Sequence, residues 1–185
     1  MPRIAPASRD EVPANQREAF DRFLQERGDI PKTGPLAVML NAPEMLARGE
    51  HMRAYLRGEE CCLSDSIREL AMLITAREND CQFIWFAHAA AGRRSGLADI
   101  LVVNLRDKMP LTGLDPEQSA VVEYGREYFR TRRVSQPTFY QALTLFGVRG
   151  LAELTTLMGY YAMLAFNINA FEMLPEAGAE AALPV

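Results

Sequence analysis

Three residues near the middle of the chain carry side chains that can move protons or electron pairs: Glu69, Cys81 and His88. On a helix over residues 64–78, the positions three, four and seven after Glu69 are Met72, Leu73 and Ala76, so its carboxylate emerges among hydrocarbon. On a second helix over residues 82–95, His88 has Ile84 and Trp85 one turn before it and Ala91 and Gly92 one turn after. It too faces inward. A carboxyl group in apolar surroundings must find a partner or give up its charge, and an imidazole titrates near neutral pH. An acid and an imidazole so placed are suited to exchanging a proton with a bound molecule. Cys81 stands seven residues before His88, about 10 Å along a helix axis, too far for a direct thiol–imidazole pair. Only the N-terminus of its own helix is at hand to make it a thiolate. Each residue also has an ordinary reading: Glu69 satisfied by an arginine or by helix N–H groups, His88 bonded to a backbone carbonyl, Cys81 a small buried apolar residue.

Around these three, Ile84, Trp85, Cys62, Tyr160 and Asn167 are candidate substrate-binding residues. Trp85 can floor a pocket or fill the core. Cys61 and Cys62 precede the expected helix cap Ser64, where they either line the site or pack in a loop. Tyr160, Tyr161, Asn167 and Asn169 belong to an apolar helix, where buried amides need partners across an interface or on a substrate. Arg77 can take a substrate carboxylate, but pairing with Glu78 and Asp80 at the surface is favoured. No metal site is expected, since His51 and His88 are far apart and lack a ligand at short spacing. No glycine-rich turn follows a strand, so the expected cofactor list is empty.

The elements that must position these residues are helices, because apolar spacing is helical almost throughout and strand-like alternation is confined to patches such as Val102-Val103. Expected helices cover residues 13–27, 36–41, 43–57, 64–78, 82–95, 98–106, 115–132, 137–146 and 151–171. Gly28 and Gly58 close two of them, Pro43 suits a first turn, and Asp115-Pro116-Glu117 opens another with a cap, a proline and an acid. The expectation is an all-α, multi-helix bundle, one domain over residues 1–174, with a flexible tail at 175–185. With 185 residues and 49% of them apolar, the chain can bury a substantial core. A net charge of −4 and the short clusters Arg93-Arg94 and Arg132-Arg133 argue against nucleic acid. No apolar run approaches the ~20 residues that span a bilayer, and Met1–Ala5 opens no signal-peptide core, so a cytoplasmic protein with reduced thiols is expected.

Residues 63–97 resemble the carboxymuconolactone decarboxylase family, which includes the alkylhydroperoxidase branch. The resemblance rests on Leu63-Ser64-Asp65-Ser66-Ile67-Arg68-Glu69-Leu70, Ala76-Arg77, Cys81 through His88, and Gly96-Leu97. Glu69, eleven intervening residues, Cys81 and, seven later, His88 match the family pattern in order and spacing. Gly34-Pro35-Leu36 and the stretch from Gly159 to Glu172 support it on either side. The peroxidase branch carries a Cys-x-x-Cys pair whose second thiol attacks peroxide, and here that position is Ile84. The resemblance therefore implies decarboxylase-like chemistry on a small carboxylated lactone or related oxo-acid. His88 would be the proton donor, Glu69 would orient it or share the proton, and all-α subunits would assemble into homo-oligomers, as dimers, trimers or hexamers. Two other readings stay open: a thiol peroxidase in which Cys81 works with Cys61 or Cys62, and a non-catalytic oligomeric binding protein.

Overall fold

The computed structural model describes residues 2–175 and 183–184. Among the described residues, a single 3₁₀ turn at Ala14–Gln16 is followed by eight α-helices: α1 (Arg17–Arg27), α2 (Gly34–Met39), α3 (Pro43–Arg57), α4 (Asp65–Glu78), α5 (Gln82–Arg94), α6 (Asp99–Arg106), α7 (Pro116–Thr131) and α8 (Gln136–Ala170). Among the described residues there is no strand. The fold is an all-helical bundle, and no helix among the described residues is long and apolar enough to cross a membrane.

Local signals set the boundaries. The Ser64 hydroxyl accepts the Ile67 N–H to open α4, and Asp115 and Gln118 form a reciprocal capping box at the start of α7. Prolines occupy the first turns of α2, α3, α7 and α8. The sequence reading expects two helices at 137–146 and 151–171 separated by four residues. Both helices are present, but they meet at a kink with Gly147 alone between them outside helical geometry, at φ 64° and ψ 178°. A positive φ costs glycine little, so a single residue makes the break and helix resumes at once.

Helix α4 is the axis of the bundle. Ile67 and every residue from Glu69 to Arg77 are buried, as expected of a helix enclosed on all sides by α5, α7 and α8. Two glycines let its neighbours come close. A Cβ on Gly125 of α7 would stand 2.9 Å from both Ile74 and Met158, and one on Gly92 of α5 would stand 3.0 Å from Leu97 and 3.2 Å from Leu73. The second contact holds α5 tightly along α4, and these two helices carry the polar pair singled out above.

The expected flexible tail lies outside the described residues over 176–182 and at 185. Leu183 and Pro184 are docked. The Gln82 side chain donates to the Leu183 carbonyl at 2.8 Å and accepts the Leu183 N–H at 2.7 Å, and the Leu183 side chain is buried.

Candidate active site

Glu69 projects from the second turn of α4 and His88 from the middle of α5, and both side chains are buried. They meet: His88 Nδ1 lies 2.8 Å from Glu69 Oε2. With Glu69 ionised, Nδ1 carries a hydrogen and donates it, which turns Nε2 away from the carboxylate. No described residue forms a hydrogen bond with Nε2. The ring of Tyr161 from α8 stands edge-on to the imidazole, centroids 5.1 Å apart and planes at 81°. Burial pushes the Tyr161 hydroxyl up to about 12, so it stays protonated.

His88 forms part of the wall of a cavity of about 240 Å³. Leu36 and Met39 of α2, Phe83, Ile84 and Ala87 of α5, and Tyr160, Tyr161 and Leu164 of α8 give it a mainly apolar surface. Gly34 brings α2 against α5: it takes φ 76°, and a Cβ there would fall 2.5 Å from the Phe83 ring. At the rim stand Arg27, Glu50, Arg53 and Arg57. Glu50 accepts two hydrogen bonds from Arg53, at 2.8 and 2.9 Å, and one from Arg27 at 2.7 Å. Arg57, the last residue of α3, has its guanidinium 3.5 Å from Glu69 Oε1. On the far side of Glu69 lies a second, more polar cavity of about 320 Å³, which Arg57 also lines together with Asp65, Arg68, Arg94 and Ser95. Glu69 thus borders the polar cavity and His88 the apolar one.

Other sequence candidates divide sharply. Ile84 and Tyr160 line the apolar cavity. Trp85 does not: it is buried and borders a separate hollow between α5 and α6, with Phe86 and Val102. Asn167 is half-buried, lies outside the cavity lining and donates back to the Met163 carbonyl one turn earlier. Cys81 caps α5 with its side chain fully buried and outside the cavity lining. Burial pushes its thiol up to about 11, against the pull of the Ile84 and Phe83 N–H groups. The favoured surface pairing of Arg77 is half right. It does bond Asp80 at 2.8 Å, but from a buried position, and it also donates to the Pro184 carbonyl.

Cys62 is exposed just before the N-terminus of α4, and Cys61 beside it is buried. Both belong to a cluster around Glu153 of α8. That carboxylate accepts hydrogen bonds from the Tyr55 hydroxyl at 2.6 Å, the Cys62 N–H at 2.8 Å, Arg149 at 2.9 Å and the Cys61 thiol at 3.4 Å. The expected alternative of Cys81 working with Cys61 or Cys62 fails within one chain. These cysteines flank opposite ends of α4, whose 14 residues span about 21 Å. Sequence reasoning missed the arginine rim. Arg53 and Arg57 lie on the expected helix at 43–57, but nothing local shows that its C-terminal end overhangs His88.

No family model matches the chain, and no curated protein matches it significantly. Solved structures do. A peroxidase-related protein of uncharacterized function from Silicibacter sp. TM1040 superposes with a TM-score of 0.72 at 20% identity, covering 99% of this chain and 96% of that one. A second such protein, from Ralstonia eutropha JMP134, described as an alkylhydroperoxidase AhpD core, gives 0.73 at 14% identity over 95% and 93%. This is the alkylhydroperoxidase-like fold. The debrominase Bmp8 has it too, at a TM-score of 0.71 and 13% identity over 97% of this chain and 95% of that one. A shared fold at such identities says nothing of substrate, so the reaction must be argued from the Glu69–His88 pair and its cavity.

Proposed function

We propose that this chain is a cofactor-free enzyme of proton transfer that decarboxylates a small carboxylated lactone or related oxo-acid. One observation carries the reading: an imidazole held by a buried carboxylate at 2.8 Å, on a histidine that lines a largely apolar chamber. The resemblance of residues 63–97 to the decarboxylase family points the same way.

In the proposed reaction the substrate's C–COO⁻ bond breaks and its electron pair passes into the conjugated carbonyl, giving an enolate and CO₂. His88, protonated on both nitrogens and steadied by ionised Glu69, delivers the Nε2 proton to carbon. A proton from solvent then restores the imidazolium. The apolar walls favour the step, because the localised charge of the carboxylate becomes spread over the larger enolate.

Replacing the second motif thiol by Ile84 supports this reading over a two-thiol peroxidase, as do the burial and raised pKa of Cys81. Exposed Met163 and Phe166 on α8, with Val148 beyond the Gly147 break, support assembly with further copies of the chain.

The test is CO₂ release from a panel of unsaturated carboxylated lactones and 3-oxo-acids. His88→Ala should lower kcat by about 10²–10⁴, the usual contribution of a general acid, and Glu69→Gln should lose most of the activity with an unchanged circular dichroism spectrum. Turnover that survives both changes would sink the proposal.

A further inference from the structure

The proposed reaction names no group that recognises the substrate's negative charge. We infer that Arg57 is the anion-binding residue of the apolar chamber, and that the molecule it takes is a small organic carboxylate with a flat unsaturated body. The inference rests on the function proposed above only for what happens after binding.

Three guanidinium groups border the chamber, and two of them are already committed. Arg27 and Arg53 both bond Glu50, the latter through two nearly parallel contacts. The Arg57 guanidinium forms no hydrogen bond with any described residue. Its nearest anion is Glu69 Oε1 at 3.5 Å, on a carboxylate whose other oxygen is engaged by His88. Glu50 is shared by two arginines and Glu69 by Arg57 and His88, so Arg57 has no carboxylate of its own beside an apolar cavity. That balance suits a singly charged guest with a hydrocarbon body, for which a guanidinium offers two parallel donors.

Size agrees with the chemistry. A cavity of about 240 Å³ exceeds the roughly 150 Å³ that accepts benzene, so one ring with a carboxylate fits. Tyr160 and Tyr161 supply aromatic edges for such a ring, and His88 shares the lining with Arg57. An anion gripped by Arg57 thus lies within the compartment that the imidazole serves. Because Arg57 also borders the polar cavity, it can turn from Glu69 to the guest without leaving contact with water.

Benzoate and its neutral isostere benzamide are the probes, with binding measured by calorimetry at low salt. Benzoate should bind wild type about tenfold or more tightly than benzamide, and Arg57→Gln should remove that preference while Arg57→Lys restores part of it. Should Arg57→Gln unfold, wild type itself serves: benzoate, but not benzamide, should slow phenylglyoxal modification at Arg57 as read by peptide mass. Equal binding of the two probes, no binding of either, unchanged benzoate affinity in a folded Arg57→Gln variant, or unprotected Arg57 would overturn the inference. His88→Ala separates this outcome from that of the decarboxylase reading. It should lower kcat by the factor given above yet keep Arg57-dependent benzoate binding, and such binding in a protein that decarboxylates nothing would leave the anion site standing alone.

Discussion

Tyr161 sets its ring at 81° to that of His88, 5.1 Å between centroids, while Glu69 holds the same imidazole by its Nδ1. Two contacts of different kind, one a hydrogen bond and one an aromatic edge, therefore fix the plane and the tautomer of a single ring. The Tyr161 hydroxyl has no hydrogen-bond partner among the described residues, so the ring and not the oxygen is the working part. Tyr161→Phe is expected to keep turnover within a few-fold, whereas Tyr161→Ala should cost about 3–5 kcal/mol of stability and most of kcat. Urea unfolding together with steady-state kinetics checks both halves.

Gly92 is expected to be as sensitive as any charged residue nearby. A methyl group there meets Leu97 at 3.0 Å and Leu73 at 3.2 Å, which forces α5 away from α4. Gly92→Ala should destabilise the protein by about 1–3 kcal/mol through overpacking, despite the better helix propensity of alanine. It should also lower kcat by lengthening the Glu69–His88 hydrogen bond, visible as a shift of the His88 ring resonances in the NMR spectrum.

Glu153 links the fold to acidity. Burial pushes its pKa up, but hydrogen bonds from Tyr55, Cys62 and Arg149 outweigh this and hold it down at about 2. A carboxyl whose folded value is depressed contributes stability that is complete above its unfolded value, near 4.5, and is lost as pH falls towards 2. Wild type should therefore lose more unfolding free energy between pH 5 and 2 than Glu153→Gln does. Chemical denaturation across that range is the measurement, and parallel pH profiles would count against it.

Thiol chemistry gives a further check. Cys62 is exposed, while Cys81 is wholly buried with its thiol pushed up to about 11. Iodoacetamide at pH 8 should label Cys62 in the native protein and leave Cys81 untouched until denaturant is added. Cys81→Ala should retain turnover, the opposite of what a thiol mechanism requires.

How much of this was legible beforehand depends on how far each signal reaches along the chain. Helix α3 ends where expected, because Pro43 and Gly58 act within one turn of themselves, and Ser64 opens α4 as its type suggests. The Glu69–His88 pair was visible from the apolar neighbours of each residue and from their spacing. Trp85 was misassigned for a geometric reason. Three residues before His88 is 60° to one side of it on the helix, and four before, at Ile84, is 40° to the other. Only the Ile84 side faces the chamber, and nothing in the local sequence marks which. Arg57 was invisible because its importance comes from α3 crossing over residues more than ten positions away. Arg77 was judged by its charge, yet Asp80 and the docked tail make a buried place for it.

That docked tail gives the chain's last residues a duty that their composition conceals. Leu183 is buttoned to Gln82, the first residue of the rod that bears His88, and Pro184 answers Arg77 at the end of the rod that bears Glu69. A protein trimmed at residue 174 would lose its clasp at the very corner where the two rods join. Wear at this distant hem would be felt as slackness between acid and imidazole.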